Sequence, residues 1–422
     1  MQSLNTWLAQ SRVAAQQLKT LSTWQKNRVL RRLADELEAQ QEGILTANKQ
    51  DIERAQDRGL SASVIERLLL TPARIKAMAE AVRQVATLDD PVGQLVQQTK
   101  RDDGLLIERR RVPIGVILMI YESRPNVTID AASLGFKSGN VTLLRGGSES
   151  VASNQCLLSL WSQVLAELDL NPAMVRGVPE QSHEMVATLL KQDRWIDLVI
   201  PRGGSNLIKA VSEQSCIPVL KHDKGVCHCY VDEFADLNQA LSIVKDGKLS
   251  RPSVCNALEG LVVHKAIVND FLNLLTEICQ QHDCELRIYP HKDLDKGFNA
   301  TATLDEFGCE YLDKILSVKI VDDAQQAIEH IRQYSSSHTE VVVSQSDSVI
   351  NQFVEAIDSA VVMVNCSSRF SDGGELGLGA EIGISTSKLH WYGPMGLEAL
   401  TIPRFIVKGQ GQVRHSESLN LT

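Results

Sequence analysis

A chain of 422 residues exceeds what one ordinary hydrophobic core organises and is long enough for two domains of about 150 to 200 residues each. Its 43% hydrophobic and 23% charged residues match a globular composition and exclude a disordered one. The formal charge of -9 excludes broad, sequence-independent nucleic-acid binding, which needs a positive face to release counterions; any anionic ligand has to be met by locally clustered Arg or Lys.

Residues 1–30 lack the charged, then apolar, then small-residue layout of a signal peptide, and no apolar run approaches the roughly 18 residues of a membrane span. A cytoplasmic protein without membrane contact is therefore expected. Nine cysteines, an odd number at low density, predict thiols rather than a disulfide framework.

The first hundred residues predict helices. Ser22 and Gln25 have the spacing of a capping box, followed by Val29, Leu30, Leu33, Ala34 and Leu37 on one helical face. Thr71 and Pro72 read as an N-cap and a first-turn proline, with Ile75, Met78, Ala79, Val82 and Val85 as the buried stripe. Next, "LVQQTKRDDGLLIERRRVP" reads as a two-stranded ribbon turning at Asp103 and Gly104. From Pro113 onward short apolar runs alternate with helical patterns: "GVILMIY", "NVTLLR" and "IDLVI", then "GLVVH", "KILSVKIV", "TEVVVSQ" and "SAVVMVN", with helices near 267–282, 323–333 and 347–356. That rhythm predicts parallel strands joined by crossover helices in two α/β units, with the break around residues 225–237. The tail "PRFIVKGQGQVRHSES" reads as an extended arm. Ribbons and arms without a core of their own dock on something, and a partner subunit or solvent are the two alternatives.

Two strand-to-helix turns share one grammar. Arg145 is followed by Gly146 and Gly147, and Arg202 by Gly203, Gly204 and Ser205. Backbone N–H groups at a helix start favour anions, and a guanidinium grips a phosphate bidentately. Neither turn is G-x-G-x-x-G or a P-loop; one alone is ordinary punctuation, whereas two with Arg point to a dinucleotide. Cys255, in "KLSRPSVCNALEGLVVH", sits in a polar loop ahead of an apolar run, the placement of a reachable thiol, although most cysteines that form no disulfide are small buried hydrophobes. Cys227, His228 and Cys229, with Cys216 upstream, lack the paired spacing of a structural zinc site. A C-x-C on a strand puts both thiols on one face, where burial explains them, and no metal is expected.

The stretches "YESRPNVTIDAASLGFKSGNVTLLRGGSES", "IPRGGSN", "VCHCYVD", "RPSVCNALE" and "SSRFSDGGELGLGAEIGISTSKLHWYGPMGLEALT" together resemble the gamma-glutamyl phosphate reductase family of the aldehyde dehydrogenase superfamily, in the family's order and over nearly the whole chain. The resemblance implies an α/β, aldehyde dehydrogenase-like fold: a Rossmann-like cofactor domain over 1–96 and 113–228, an α/β catalytic domain over 229–385, and an oligomerisation ribbon and arm over 97–112 and 400–422. It implies an enzyme of proline biosynthesis that reduces L-glutamyl 5-phosphate with NADPH to L-glutamate 5-semialdehyde, releasing phosphate through a cysteinyl thioester. It also implies a homo-oligomer, dimer or tetramer, with transient contact with glutamate 5-kinase as a further partner.

Residue by residue, the resemblance places the nucleophile at Cys255. It places the cofactor at Arg145, Gly146, Gly147, Arg202, Gly203, Gly204, Ser205 and Glu310, with Arg145 suited to the 2'-phosphate and Glu310 to the nicotinamide-side ribose. The superfamily holds the oxyanion with the nucleophile's backbone N–H and an asparagine; Asn126 is the candidate here, although a gapless count lands nearer Glu122 or Ser123 and a helix cap after Pro125 would also explain it. For the substrate's charged ends the candidates are Arg124 and Arg251 at the phosphate, Ser368 and Arg369 at the α-carboxylate, and Asp372 at the ammonium. Oxidising relatives carry a water-activating glutamate where this chain reads "VLKHDKGVCHCYVD"; its absence suits a reductase, because activated water would discharge the thioester as free glutamate. The run Lys221, His222, Asp223 and Lys224 departs from the family's glycine-rich stretch and reads as a solvated loop or as a polarising group. Two rivals are a CoA-acylating relative and a non-catalytic member that keeps only the fold; turnover with phosphate, with CoA or with neither separates the three.

Overall fold

The computed structural model describes residues 3–221, 224–298 and 301–414. The chain forms two compact units, Met1–Leu220 with Gly396–Thr422, and Lys221–Met395.

The first unit opens with five helices, α1 (Leu4–Leu18), α2 (Thr23–Ala39), α3 (Gln41–Asp57), α4 (Ala62–Leu68) and α5 (Pro72–Thr87). Local chemistry starts α2 and α5 where the sequence predicts. The Ser22 side chain accepts the Gln25 N–H while the Gln25 amide oxygen accepts the Ser22 N–H at 2.9 Å, and Thr71 caps α5 with Pro72 in its first turn. Both predicted apolar stripes are buried.

A ribbon follows, β1 (Leu95–Lys100) and β2 (Leu106–Pro113), paired antiparallel with Gly104 at φ 86° in the turn. The alternation then delivers β3 (Val116–Tyr121), α6 (Asn126–Lys137), β4 (Val141–Arg145), α7 (Val151–Glu167), β5 (Val175–Gly177), α8 (His183–Leu189), β6 (Leu198–Arg202) and α9 (Ser205–Gln214). Strands β5-β4-β3-β6 form a parallel sheet in that order. Every residue of β3 is buried, as expected of a parallel strand covered on both faces. The winding moves outward from β3 to β5 and then reverses to β6, which puts a topological switch point between β3 and β6. Ligands of open α/β sheets sit at the carboxyl ends of strands at such a point. Asp51 of α3, fully buried, caps α7 by accepting from the Ala152 N–H (3.1 Å), the Ser153 N–H (2.7 Å) and Ser153 Oγ (2.6 Å).

The second unit contains β7 (Cys227–Val231), α10 (Leu237–Leu249), β8 (Leu258–His264), α11 (Val268–Gln281), β9 (Glu285–Ile288), β10 (Ile315–Val321), α12 (Ala324–Tyr334), β11 (Thr339–Val343), α13 (Asp347–Ala356) and β12 (Val361–Val364), then a small bridge of β13 (Ile384–Ser385) and β14 (Gly393–Pro394). Six strands form one parallel sheet, ordered β12-β11-β7-β8-β10-β9. One face packs Cys227, Cys229, Val231 and Leu261 against α10 and α11, and the other packs Tyr230 and Val262 against α12 and α13. The stretch 225–237, expected to be a break, therefore holds the central strand of this sheet. The expected placement of Cys227 and Cys229 on one face of a strand holds, and on the other face the His228 ring pairs with Glu340. The division between units falls at Leu220/Lys221, whereas a boundary at 228/229 runs through β7, which bonds to β8 and β11.

The tail's β15 (Thr401–Lys408) pairs antiparallel along all of β2, from Thr401 opposite Pro113 to Lys408 opposite Leu106, giving a three-stranded sheet. The arm thus docks on its own chain's ribbon and satisfies an edge that would otherwise present unpaired backbone groups; its end, 415–422, lies outside the described residues. Among the described residues no helix is long and apolar enough to cross a membrane.

Candidate active site

In the second unit four neighbouring strands bring together the loops that enter their N-terminal ends: Gly225 before β7, Cys255 before β8, Glu310 before β10 and Ser336 before β11. Cys255 is half-buried and follows α10 by six residues. Its backbone is held from beneath. A Cβ on Gly225 would stand 2.7 Å from the carbonyl carbon of Cys255 and 2.8 Å from its Cα, so only glycine lets these two backbones approach. The Gly225 N–H donates to Glu310 Oε1 at 2.7 Å, the Val226 N–H to Ser336 Oγ at 2.9 Å, and Cys227 Sγ to the Cys255 carbonyl at 3.3 Å. Lys224 donates to the Gly308 carbonyl, while His222 and Asp223 lie outside the described residues.

On the other side, Asn256 donates its amide to the carbonyls of Ser371 (2.9 Å) and Arg369 (3.4 Å), and Ser368 Oγ donates to the Asn256 carbonyl at 2.6 Å. Ser368 is fully buried, so its hydroxyl ties the loop to the nucleophile segment from within. Arg369 and Asp372 stand half-buried on the same loop, Asp372 Oδ1 accepting the Gly374 N–H at 2.9 Å, and Arg251 is exposed at the start of the nucleophile loop. The structure therefore gathers Cys255, Glu310, Ser368 and Arg369 into one contact network. It also adds Gly225, Asn256 and Cys227, which sequence reasoning missed. A glycine directly ahead of an apolar run was the available signal for the first of these.

Cys227 and Cys229 lie in the apolar core beside α10 and α11, where burial pushes both thiols up. His228 points to the opposite face, its Nδ1 3.2 Å from Glu340 Oε2, which also accepts the His228 N–H at 2.8 Å. The only three-residue group of metal-ligand types that converges among the described residues is elsewhere, at His291, Asp293 and Asp322. There Asp322 is already paired with Lys265 at 2.7 Å.

The first unit carries the two Gly-Gly turns at the carboxyl ends of β4 and β6, flanking β3. Arg145 is 7% exposed and donates Nη2 to the Gln181 carbonyl at 2.9 Å, while its buried Nε has no hydrogen-bond partner among the described residues. Burial pushes its pKa down and the carboxylates of Glu149 and Glu122 push it back up. Gly146 and Gly147 leave no room for side chains: a Cβ on Gly146 would lie 3.2 Å from Asn154 Cγ and from Tyr121 Cε2, and one on Gly147 would clash with the Glu149 carboxylate. Glu149 Oε1 accepts the Ser123 N–H at 2.6 Å and Ser123 Oγ at 2.8 Å. At the second turn the Gly204 N–H, at the head of α9, donates to Glu122 Oε2 at 2.9 Å, and Ser205 is exposed beside it. Glu122 and Glu149 are the acidic members of this edge that sequence reasoning gave no role. They sit where anion-favouring N–H groups point, and local sequence does not reveal that placement.

Asn126 opens α6 and donates Nδ2 to Asp130 Oδ2 at 2.9 Å. Burial pushes the Asp130 carboxyl up to about 6, opposed by the Asn126 amide and by the charge of Arg202. Arg124 lies on the exposed loop just ahead. A guanidinium with an orphaned buried N–H, two side-chain-free turns and carboxylate acceptors are a donor and acceptor set that fits a dinucleotide's phosphates and ribose hydroxyls.

The aldehyde dehydrogenase family profile matches residues 2–293. The gamma-glutamyl phosphate reductase of Salinibacter ruber is 50% identical over 98% of this chain and 95% of its own length. The chain belongs to the gamma-glutamyl phosphate reductase family of aldehyde dehydrogenases. The family member of Idiomarina loihiensis is 47% identical over 95% of this chain and 96% of its own. The crystal structure of the Thermotoga maritima gamma-glutamyl phosphate reductase matches with a TM-score of 0.95 at 40% identity, covering 98% of this chain and 100% of that one. An acetylating aldehyde dehydrogenase from Geobacillus thermoglucosidasius, at 13% identity and a TM-score of 0.69 over 97% of each chain, shares the fold.

Proposed function

We propose that this chain reduces L-glutamyl 5-phosphate to L-glutamate 5-semialdehyde with NADPH and releases phosphate, the second step from glutamate to proline, through a thioester on Cys255. The observation that carries this reading is family membership at half identity over nearly the full chain, joined to a half-buried cysteine whose backbone is contacted by Gly225 and Cys227 and whose neighbour Asn256 is tied to Ser368 and Ser371.

In this mechanism the Cys255 thiolate attacks the acyl carbon. The tetrahedral oxyanion is held by the Cys255 backbone N–H and by Asn126; an amide nitrogen carries two N–H groups, and with one engaged by Asp130 the other serves the oxyanion. Phosphate leaves with the bonding electron pair, giving the thioester. Arg124 or Arg251 neutralises the departing phosphate, and Arg369 and Asp372 meet the α-carboxylate and ammonium. The nicotinamide, when bound, supplies the hydride. Arg145 would meet the 2'-phosphate, Gly146, Gly147, Arg202, Gly203, Gly204 and Ser205 the remaining phosphates, and Glu310 the ribose. After reduction the carbon–sulfur bond breaks, the aldehyde departs and the Cys255 thiolate is restored. Two carboxylates tied into the network around the nucleophile loop support this direction: Glu310 is engaged by the Gly225 N–H and Glu259 by Lys248 and the Leu312 N–H, so neither is poised to activate water. The β1-β2-β15 sheet exposes Leu95, Val96, Phe405 and Val407 and serves a dimer or tetramer.

The test is reverse turnover of glutamate semialdehyde with NADP and phosphate, beside the same assay with CoA. Phosphate-dependent turnover that vanishes in Cys255→Ala is expected. Turnover with CoA and not phosphate, or retained activity in the variant, would overturn the reading.

A further inference from the structure

Beneath the nucleophile loop lies a buried ion pair that the mechanism above does not use. Lys248, in the last turn of α10, donates Nζ to Glu259 Oε2 at 2.6 Å, and both side chains are 1% exposed. The other carboxylate oxygen of Glu259 accepts the Leu312 N–H at 3.2 Å, and its backbone carbonyl accepts Ser317 Oγ at 2.9 Å. The Tyr311 ring lies 6.0 Å from the Lys248 ammonium.

The placement of the pair is informative. Lys248 belongs to the last turn before the loop that carries Cys255, and Glu259 is the second residue of the strand that leaves it. Their contact closes the loop at its base. The same carboxylate grips Leu312, two residues beyond Glu310. Glu310 in turn holds the Gly225 N–H, and Gly225 packs on the Cys255 backbone. The contacts run from the Cys255 loop through Lys248, Glu259, Leu312, Glu310 and Gly225 back to Cys255.

A buried ion pair is a poor stability device. Desolvation offsets most of its Coulomb energy, and replacing both partners with apolar groups of similar volume is often neutral or stabilising, whereas removing one partner is strongly destabilising. Its position at a closed ring of contacts around the nucleophile calls for a geometric role. We propose that Lys248 and Glu259 are positioning residues that hold Cys255 and Glu310 in fixed register for the reaction; this rests on the reading that Cys255 is the nucleophile.

Burial pushes the Glu259 carboxyl up to about 7, with Lys248 and the Leu312 N–H pulling it down and Glu310 adding to the rise. The titratable groups that face the pair are Glu310 and Tyr311 ahead of β10, Cys284 ahead of β9 and Cys227 on β7. As pH falls through that value Glu259 takes up a proton and loses its charge, leaving the buried Lys248 ammonium without its counter-ion and the contact weakened, so kcat should fall on the acid side.

The experiment compares wild type with the double variant Lys248→Met/Glu259→Leu and with Glu259→Gln. It reads the melting temperature, the rate of Cys255 alkylation by iodoacetamide without cofactor, and the pH profile of kcat. The double variant is expected to melt at or above the wild-type temperature while kcat falls at least tenfold and the alkylation rate changes. Glu259→Gln is expected to lose the acid limb near neutrality. A folded double variant with wild-type kcat and alkylation overturns the proposal. Should the double variant fail to fold, Glu259→Gln decides: an unchanged acid limb overturns the proposal and its loss supports it. Cys255→Ala separates the two levels. Retained turnover there sinks the nucleophile reading and the clamp with it, whereas lost turnover there beside wild-type kcat in the double variant sinks the clamp alone.

Discussion

Replacing Gly225 by alanine displaces the proposed nucleophile without removing any reactive group. The added Cβ would stand 2.7 Å from the carbonyl carbon of Cys255 and 2.8 Å from its Cα, whereas non-bonded carbons rest at about 3.5 Å or more. The Cys255 carbonyl oxygen lies closer still, so the two backbones must separate by more than about 1 Å. Gly225 is not among the glycines with positive φ, so alanine meets no conformational penalty of its own and the effect isolates the clash. A misplacement near 1 Å at a reacting centre is worth about 10²-fold in rate, or about 2.7 kcal/mol. Overpacking of this kind lowers stability by about 1 to 3 kcal/mol, which a domain of this size tolerates. The assay is kcat for reverse turnover beside the rate of Cys255 alkylation and the melting temperature. A folded Gly225→Ala enzyme with kcat within threefold of wild type and unchanged alkylation would refute the claim that this backbone contact sets the thiol.

Three further outcomes follow from the same geometry. Arg145→Ala should raise the KM for NADPH at least tenfold while leaving KM for NADH within about twofold, because its guanidinium is assigned to the 2'-phosphate alone; equal changes for both cofactors would remove that assignment. Asp130 has a folded-state carboxyl near 6, above its ordinary value, so the folded chain binds that proton more tightly than the unfolded one. Its contribution is complete below about pH 4 and is lost as pH rises through 6, so wild type should lose melting temperature relative to Asp130→Asn over that window, and parallel profiles would contradict this. Asp51→Ala removes three hydrogen bonds from the start of α7 and should lower the urea midpoint by the equivalent of about 2 to 4 kcal/mol, with activity per folded molecule unchanged.

Much of the fold was legible because its signals are local. The capping box of Ser22 and Gln25, the Thr71-Pro72 start of α5 and the buried stripes depend on residues within a turn or two of one another, as does the hairpin at Gly104. The α/β alternation was legible in the apolar runs. What escaped is set by neighbours distant in sequence. The division expected within residues 225–237 falls instead ahead of Cys227–Val231, whose place inside the second sheet is set by pairing with β8 and β11, and Glu340, over a hundred residues after His228, is what permits that histidine's burial. The pairing of the tail with β2 depends on an open edge almost three hundred residues upstream. The same holds for the site. Cys255 and Glu310 were named from family motifs, yet nothing local shows that Gly225 joins them. Ser368, a candidate substrate contact, turns inward onto the Asn256 carbonyl; Glu122 meets the second glycine turn only when β3 and β6 lie side by side, and Glu149, two residues past Gly147, meets Ser123 only when β3 and β4 do.

The central claim concerns one sulfur, and trapping the acyl-enzyme tests it most directly. The protein would be mixed with L-glutamyl 5-phosphate generated in place by glutamate kinase and ATP, with nicotinamide cofactor withheld, then quenched in acid and mapped by peptide mass spectrometry. The account predicts a glutamyl adduct on the peptide containing Cys255, discharged when NADPH is added before the quench. No adduct on that peptide, in a preparation that turns over once NADPH is supplied, would contradict it.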